Sequence, residues 1–357
     1  GDPGILNIDT IKNWCICSED DNFQFDAPNP CGEQPLPKYG SCNLCSSNLS
    51  EFIVNPFKED AYFDFVEFER VIDIAVREMD DLITEGEGLH PLLEQRKMIH
   101  LWRNMGIGIM GMADALIKLG IRYGSAKHIK LCNGIGRSMI YQALITSCML
   151  AKEKGSFPMC DPDKLISSPF IKANTDKELI KLIGKYGLRN CSLLSIAPTG
   201  TLSSMLEISG GIEPIYDLCY KRKTESLFEE DKYFIVYPKV IEEYAIINKL
   251  DKQENGEYKN LPEFIVNSTA KKLDWKERVQ VQGITVFRDG CRRTGILTGA
   301  DSSNNIDYKL DNINPISRHK LGVTSGSTID KRTACGKMYI TINHNDNNEL
   351  VESFINT

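Results

Sequence analysis

Residues 29–44 read NPCGEQPLPKYGSCNL, and how this stretch is read decides the fold. A cysteine sits between a proline and a glycine, a glutamate follows two positions on, and a second cysteine comes shortly after. The prolines and the glycine exclude a helix interior, so the segment is extended or looped. In extended backbone alternate side chains face one way, which would put Asn29, Cys31 and Glu33 on a common side. Pro30 has no amide to leave unpaired, and Gly32 has no side chain to accommodate. That combination suits a loop tip pushed into a confined cavity, delivering an amide, a thiol and a carboxylate together. Cys42 follows a turn at Tyr39 and Gly40 and is placed to double back toward the tip. The alternative is an exposed proline-rich loop with an incidental cysteine. The pattern alone leaves both open.

A second loop weighs in the balance. Residues 193–216, LLSIAPTGTLSSMLEISGGIEPIY, run from an apolar strand into Pro198, Thr199, Gly200 and Thr201. Hydroxyls and free backbone amides at such a turn, where a helix starts, make a natural phosphate cradle. An ordinary strand-to-helix connection capped by threonine is the competing reading. A phosphate seat and a thiol–carboxylate loop in one chain point to a phosphorylated substrate worked on by thiol chemistry. GIGIMG at 106–111 spells G-x-G-x-x-G, but a dinucleotide turn needs a strand before it and an acid about twenty residues on. The upstream EQRKMIHLWRNM looks helical and SAKHIKLC holds no acid, so these glycines are expected to permit close helix packing instead.

Bulk properties bound the rest. The 357 residues suffice for about two average domains or one large α/β barrel. A hydrophobic share of 41% and a charged share of 25% are ordinary for a soluble globular protein. A net charge of −7 argues against a nucleic-acid surface. No stretch approaches the roughly 20 apolar residues of a membrane span, and no secretion signal opens the chain. Gly1 is not an initiator methionine, which reads as a processed or excised chain. The 12 cysteines are irregularly spaced and the five histidines scattered. No zinc site is therefore expected and no metal is assigned, and a reduced cytoplasmic setting is favoured.

Apolar periodicity predicts helices over 67–84, 108–119, 127–154 and 176–185, and short strands over 191–196, 283–287 and 338–342. Helices alternating with isolated apolar strands indicate an α/β fold with largely parallel pairing. The polar, Asn- and Ser-rich tract 299–330 reads as a flexible linker between a main domain over 1–298 and a small terminal β segment over 331–357.

NPCGE, then SCNL with SNL three residues on, then APTGT followed by GGIEP, resembles in that order the catalytic subunit of ribonucleotide reductase. GDPGILNIDTI, WRNMGIGIMGMADALIKLGIRYGS, GITVFRDGCR and TACGKMYITIN agree with it. The likeness covers nearly the whole chain but only the carboxyl-terminal part of the family's chain, and is nearest to the adenosylcobalamin-dependent branch. The resemblance implies a ten-stranded α/β barrel with a central finger loop, and reduction of ribonucleoside di- or triphosphates for DNA precursor synthesis. It implies that Cys31 becomes a thiyl radical that removes the 3′ hydrogen. Glu33 then takes the 3′-hydroxyl proton and Asn29 bonds the substrate hydroxyls. By the same resemblance Cys42 matches one of two reducing cysteines that end as a disulfide. Pro198, Thr199, Gly200 and Thr201 match the loop that in the family holds the substrate phosphates. Adenosylcobalamin, a thioredoxin-type external reductant, an amino-terminal half-chain and a homodimer are the implied cofactors and partners, with no nucleic acid and no membrane.

Departures from the family pattern are as informative. The partner of Cys42 and the allosteric site lie in the family's amino-terminal half, and the carboxyl-terminal cysteine pair would lie beyond Thr357. Gln282 runs directly into Gly283, where relatives carry a few dozen residues including a strand. Cys45 stands where the family has glycine, so a local Cys42–Cys45 pair is an alternative to a passive Cys45. Val286 and Phe287 occupy the places of the tyrosine pair of radical-relaying class I subunits, which favours the cobalamin branch. A class I subunit, or a fragment that only binds nucleotide or a half-chain, are the competing functions.

Overall fold

The structure is a computed structural model and describes residues 7–41, 43–224, 232–253, 257–274, 297–299, 325–333, 336–344 and 350–356. The chain divides into two units, Gly1–Ser302 and Ser303–Thr357. The first opens with α1 (Ile8–Asn13) and an antiparallel hairpin of β1 (Phe25–Pro28) and β2 (Pro35–Pro37). After β3 (Leu44–Asn48), a 3-10 turn over Leu49–Phe52 leads to the short pair β4 (Ile53–Val54) and β5 (Tyr62–Phe63). Helices α2 (Phe65–Leu89) and α3 (Leu93–Trp102) precede β6 (Gly106–Met110), and α4 (Met112–Lys118) and α5 (Ala126–Lys154) follow it. Next come α6 (Pro162–Ser167), α7 (Pro169–Asn174), α8 (Lys177–Tyr186) and α9 (Gly200–Met205). The unit ends with β7 (Tyr220–Thr224), β8 (Lys232–Val236), α10 (Lys239–Ile247), α11 (Glu263–Val266) and β9 (Leu297–Gly299), with β7 antiparallel to both β8 and β9. The second unit is an antiparallel meander of β10 (Ser325–Thr333), β11 (Gly336–His344) and β12 (Leu350–Asn356).

Helix α2 forms where its apolar periodicity asks for it. Asp64 caps its start by accepting from the Glu67 amide at 3.0 Å. Phe68, Ile72, Val76, Met79 and Ile83, at helical spacing, line its buried face. That face meets α5, which Ser125 caps through the His128 amide at 3.2 Å and which ends at Gly155, whose φ of +88° favours glycine. Thr146 of α5 donates to Asp73 of α2 at 2.7 Å, fixing their register. Phe52, Phe63 and Phe68 close one end of the core with ring centroids 5.2–5.8 Å apart. Each such buried side chain contributes about 1.5–3 kcal/mol.

The expected helix over 108–119 begins only at Met112, because Gly106–Met110 is a wholly buried strand. β6 pairs in parallel with β3, Leu44 opposite Gly106 through Asn48 opposite Met110. Its other edge takes residues 193–195, with Ile107 donating to the Leu193 carbonyl at 2.8 Å and Ser195 donating to the Ile107 carbonyl at 3.0 Å. The expected strand 191–196 is thus extended but joined by one bridge, Ile107 to Leu194. Ile107 and Ile109 pack into the helical core, whereas Gly106 and Gly108 are glycine because the chain crosses close to them. A Cβ on Gly106 would lie 2.7 Å from the Ser195 Cβ and 2.8 Å from a Leu44 methyl. The glycines therefore serve strand approach, not helix packing.

The expected barrel is matched in class only. Among the described residues the sheets have two or three strands and no barrel closes. Among the described residues parallel pairing is confined to β3, β6 and the 193–195 segment. The strand expected at 338–342 lies within β11. The strand at 283–287, the Gln282–Gly283 junction and Val286 and Phe287 fall outside the described residues. So does most of the 299–330 tract, whose last six residues, 325–330, belong to β10.

Asp80 of α2, fully buried, binds the lead-in segments of both inner strands. Arg103, in a left-handed conformation at the end of α3, donates to its carboxylate at 2.7 and 3.1 Å. Arg189 adds bonds at 3.2 and 3.3 Å and Asn190 one at 3.3 Å. Burial pushes the Asp80 carboxyl up, but Arg103, Arg189 and Asn190 outweigh it and hold the group below the usual carboxylate range. Removing one partner of such a pair leaves a buried charge unpaired and costs about 3–5 kcal/mol. Arg103→Ala should lower the thermal midpoint by on the order of 10 °C, and an unchanged melting curve would refute the role. A depressed folded value makes this stabilisation complete above about pH 4 and lost as pH falls through the folded pKa. Wild-type stability should fall below about pH 4, and that fall should be shallower in Asp80→Asn, as read by acid titration of circular dichroism.

Candidate active site

The stretch 29–34 is the tip of the β1–β2 hairpin. The Asn29 amide donates to the Gln34 carbonyl at 3.1 Å, and the Gln34 amide returns a bond to Asn29 Oδ1 at 3.0 Å. Inside this clasp Gly32 donates to the Asn29 carbonyl at 2.9 Å. Its φ of +82° is one that only glycine adopts without strain. The expectation of an extended segment with Asn29, Cys31 and Glu33 alternating on one side is therefore corrected. The Asn29 side chain closes a tight turn and commits its oxygen to the backbone. Cys31 and Glu33 still share the turn, flanking Gly32.

One end of the tip is anchored. Gln34 is 1% exposed and donates through Nε2 to the Met105 carbonyl at 3.0 Å. Its amide nitrogen lies 3.2 Å from where a Cβ on Gly106 would be. Side-chain oxygens of Glu33, Gln34 and Ser195 are buried with no hydrogen-bond partner. Cys31 is exposed, and no heavy atom lies within 4 Å of the position of a Cβ on Gly32. Cys42 lies outside the described residues. A cleft of about 280 Å³ opens beside its neighbours Ser41 and Asn43, lined also by Ile83, His90 and Gln95. Cys45 on β3 is a half-buried free thiol whose pKa burial pushes up. It packs against the core as a small apolar residue.

At the other end of the same strands lies the second loop. Thr199, with φ +52°, turns the chain into α9. Its hydroxyl does not cap that helix. It accepts instead from the Gly211 amide at 2.9 Å, which fastens 198–201 to the Ser209–Gly211 segment. Pro198, Gly200 and Thr201 are exposed. Gln34 binds at Met105, and the Ser209 carbonyl accepts from the Gly111 amide just past the other end of β6, so the anchors of the two loops are about 20 Å apart at roughly 3.3 Å per residue. Ligands of α/β sheets bind beyond the carboxyl ends of the strands, where the 198–201 turn stands.

Three residues that sequence reading passed over belong here: Gln34, Ser209 and Asp114. Asp114 carried a signal, an acid inside the apolar run MADALI, and Gln34 did not. Among the described residues no three His, Cys, Asp or Glu side chains are grouped to share a metal ion. No helix among them is long and apolar enough to cross a membrane.

Comparison with known proteins gives this geometry a family. A family model described as "Ribonucleotide reductase, barrel domain" matches residues 1–281. The vitamin B12-dependent ribonucleoside-diphosphate reductase of Mycobacterium tuberculosis (strain CDC 1551 / Oshkosh) is 33% identical over 222 residues, 62% of this chain and 28% of that protein. The enzyme of the same name from Thermoplasma acidophilum is 30% identical over 272 residues, 76% of this chain and 32% of that protein. The ribonucleoside-diphosphate reductase subunit alpha of Chlamydia muridarum is 33% identical over 196 residues, 49% of this chain and 18% of that protein. The chain spans about a third or less of the length of these curated relatives. With its clasped Cys–Gly–Glu tip and its strand-end turn inside the matched region, the chain belongs to the ribonucleotide reductase family, through that family's barrel domain.

Proposed function

We propose that this chain carries the radical-bearing part of a cobalamin-dependent ribonucleotide reductase, which converts ribonucleotides to 2′-deoxyribonucleotides. The observation that carries the reading is the hairpin tip, where an exposed thiol and a carboxylate with a buried, unpartnered oxygen share one clasped turn. A thiyl radical at Cys31 removes the 3′ hydrogen of the ribose, and Glu33 accepts the 3′-hydroxyl proton. An acceptor already desolvated and unpartnered is ready to take that proton. Asn29, its oxygen held by the Gln34 amide, has its NH₂ group left to donate to a substrate hydroxyl. Pro198, Thr199, Gly200 and Thr201 seat the phosphates, Thr199 shaping the turn and Gly200 and Thr201 presenting it to solvent.

Two thiols then supply two electrons and two protons that release the 2′ oxygen as water, leaving a disulfide between Cys42 and a thiol from the rest of the family's chain. Cys31 returns the hydrogen atom to C3′, regenerating its thiyl radical. A thioredoxin-type external reductant returns the Cys42 disulfide to thiols. The tip fits a bulky cofactor, because Cys31 is exposed and the space over Gly32 is open. Adenosylcobalamin, when bound, supplies the homolytic bond cleavage that makes a hydrogen-abstracting radical. The names of the first relatives, vitamin B12-dependent reductases, support that cofactor. A closed ten-stranded barrel around the tip, an amino-terminal half-chain and a homodimer complete the proposal. No observation favours the class I or the binding-only reading.

In the assembly completed by the remaining half of the family's chain, Cys31→Ser should abolish reduction while nucleotide binding persists. A hydroxyl hydrogen is far harder to remove as a radical than a thiol hydrogen. Glu33→Gln should slow turnover by about 10²- to 10⁴-fold, the range of a lost general base. Single-turnover assays of deoxynucleotide formation decide both, and turnover near wild type in either variant would sink its assigned role.

A further inference from the structure

Asp114 is the acid that neither the radical chemistry nor the phosphate seat uses. It sits in the first turn of α4, 3% exposed among apolar neighbours. A carboxyl this buried needs partners to be tolerated. Its partner is the Ser209 amide, which donates to Asp114 Oδ2 at 2.7 Å. Ser209 answers with two further bonds to the same turn, for its hydroxyl accepts from the Ala113 amide at 3.2 Å and its carbonyl from the Gly111 amide at 2.8 Å. Three bonds therefore lock Ser209 onto the start of α4, directly beyond the end of β6. The next two residues carry that lock to the strand-end turn. A Cβ on Gly210 would stand 2.8 Å from the Pro198 carbonyl, so the two backbones touch, and Gly211 donates to the Thr199 hydroxyl at 2.9 Å.

We infer that Asp114, acting through Ser209, is the positioning residue that fixes the shape of the 198–201 turn. Asp114 touches no substrate. It holds Ser209, Ser209 holds Gly210 and Gly211, and these brace Thr199 in the left-handed conformation that aims the turn. The consequence for nucleotide affinity rests on the reading of 198–201 as the phosphate seat, whereas the latch itself does not.

Amide hydrogen exchange of the chain without nucleotide separates the two. Asp114→Ala should raise exchange in peptides spanning 196–213 by at least about tenfold, the loss expected when a buried amide is left without its acceptor. Exchange in α2 and α5 should not change. Asp114→Asn, whose amide oxygen still accepts from Ser209, should stay within about twofold of wild type in the same peptides. Exchange unchanged in Asp114→Ala, or raised equally across α2 and α5, would overturn the inference. Calorimetric titration with cytidine diphosphate then reads the consequence, with affinity about tenfold weaker in Asp114→Ala and near wild type in Asp114→Asn. A local rise in exchange with cytidine diphosphate bound equally by all three proteins refutes the phosphate seat and leaves the latch standing.

Discussion

The fold hangs on a buried carboxylate. Asp80 accepts from Arg103, which leads into β6, and from Arg189 and Asn190, which lead into the 191–197 segment. Both inner strands are therefore launched from one charge on α2, and whatever stands at their far ends inherits that alignment. Isolated in the interior such a charge would be costly, and it is tolerated because two guanidinium groups and an amide surround it. The network stabilises relative to a broken pair rather than to an apolar core, so its role is placement more than stability.

Placement matters because one face of β6 carries only glycines, Gly106 and Gly108, until Met110 at its end. Gly106 and Gly108 let Ser195 cross closely and let Gln34 sit over the strand's start. The hairpin tip with Cys31 and Glu33 is anchored there, and the turn at 198–201 emerges from the other end. In the proposed reading, a short strand with glycines at its first and third positions, flanked by loops at both ends, sets the spacing between the Cys31 tip and the 198–201 turn. In that frame the separation of the two loops follows from strand length, and their orientation from the Asp80 cluster and the Asp114 latch.

Much of this was legible in the sequence, and what was not has physical causes. Helices over 67–84, 127–154 and 176–185 were readable because apolar periodicity coincides with caps at Asp64, Ser125 and Asp176 and stops at Gly155 and Gly187. The strand at Gly106–Met110 was not, since glycine weakens an isolated strand and only close packing of Ser195 and Leu44 makes it favourable there. The tip was recognised as a turn-forming, thiol-bearing loop. Its geometry was misjudged because a side-chain clasp from Asn29 overrides the alternation of extended backbone. Gln34, Ser209 and the Asp80 cluster depend on partners 23 to 110 residues away, a separation no local pattern encodes.

The central claim is that a radical is made beside Cys31 and passes through its thiol. The direct measurement is the washout of tritium from the 5′ position of adenosylcobalamin into water by the completed assembly. Washout that depends on nucleotide and disappears in Cys31→Ser is the predicted result. Washout that persists without the Cys31 thiol, or turnover that proceeds without cobalamin but with an iron- or manganese-containing partner, would contradict the account.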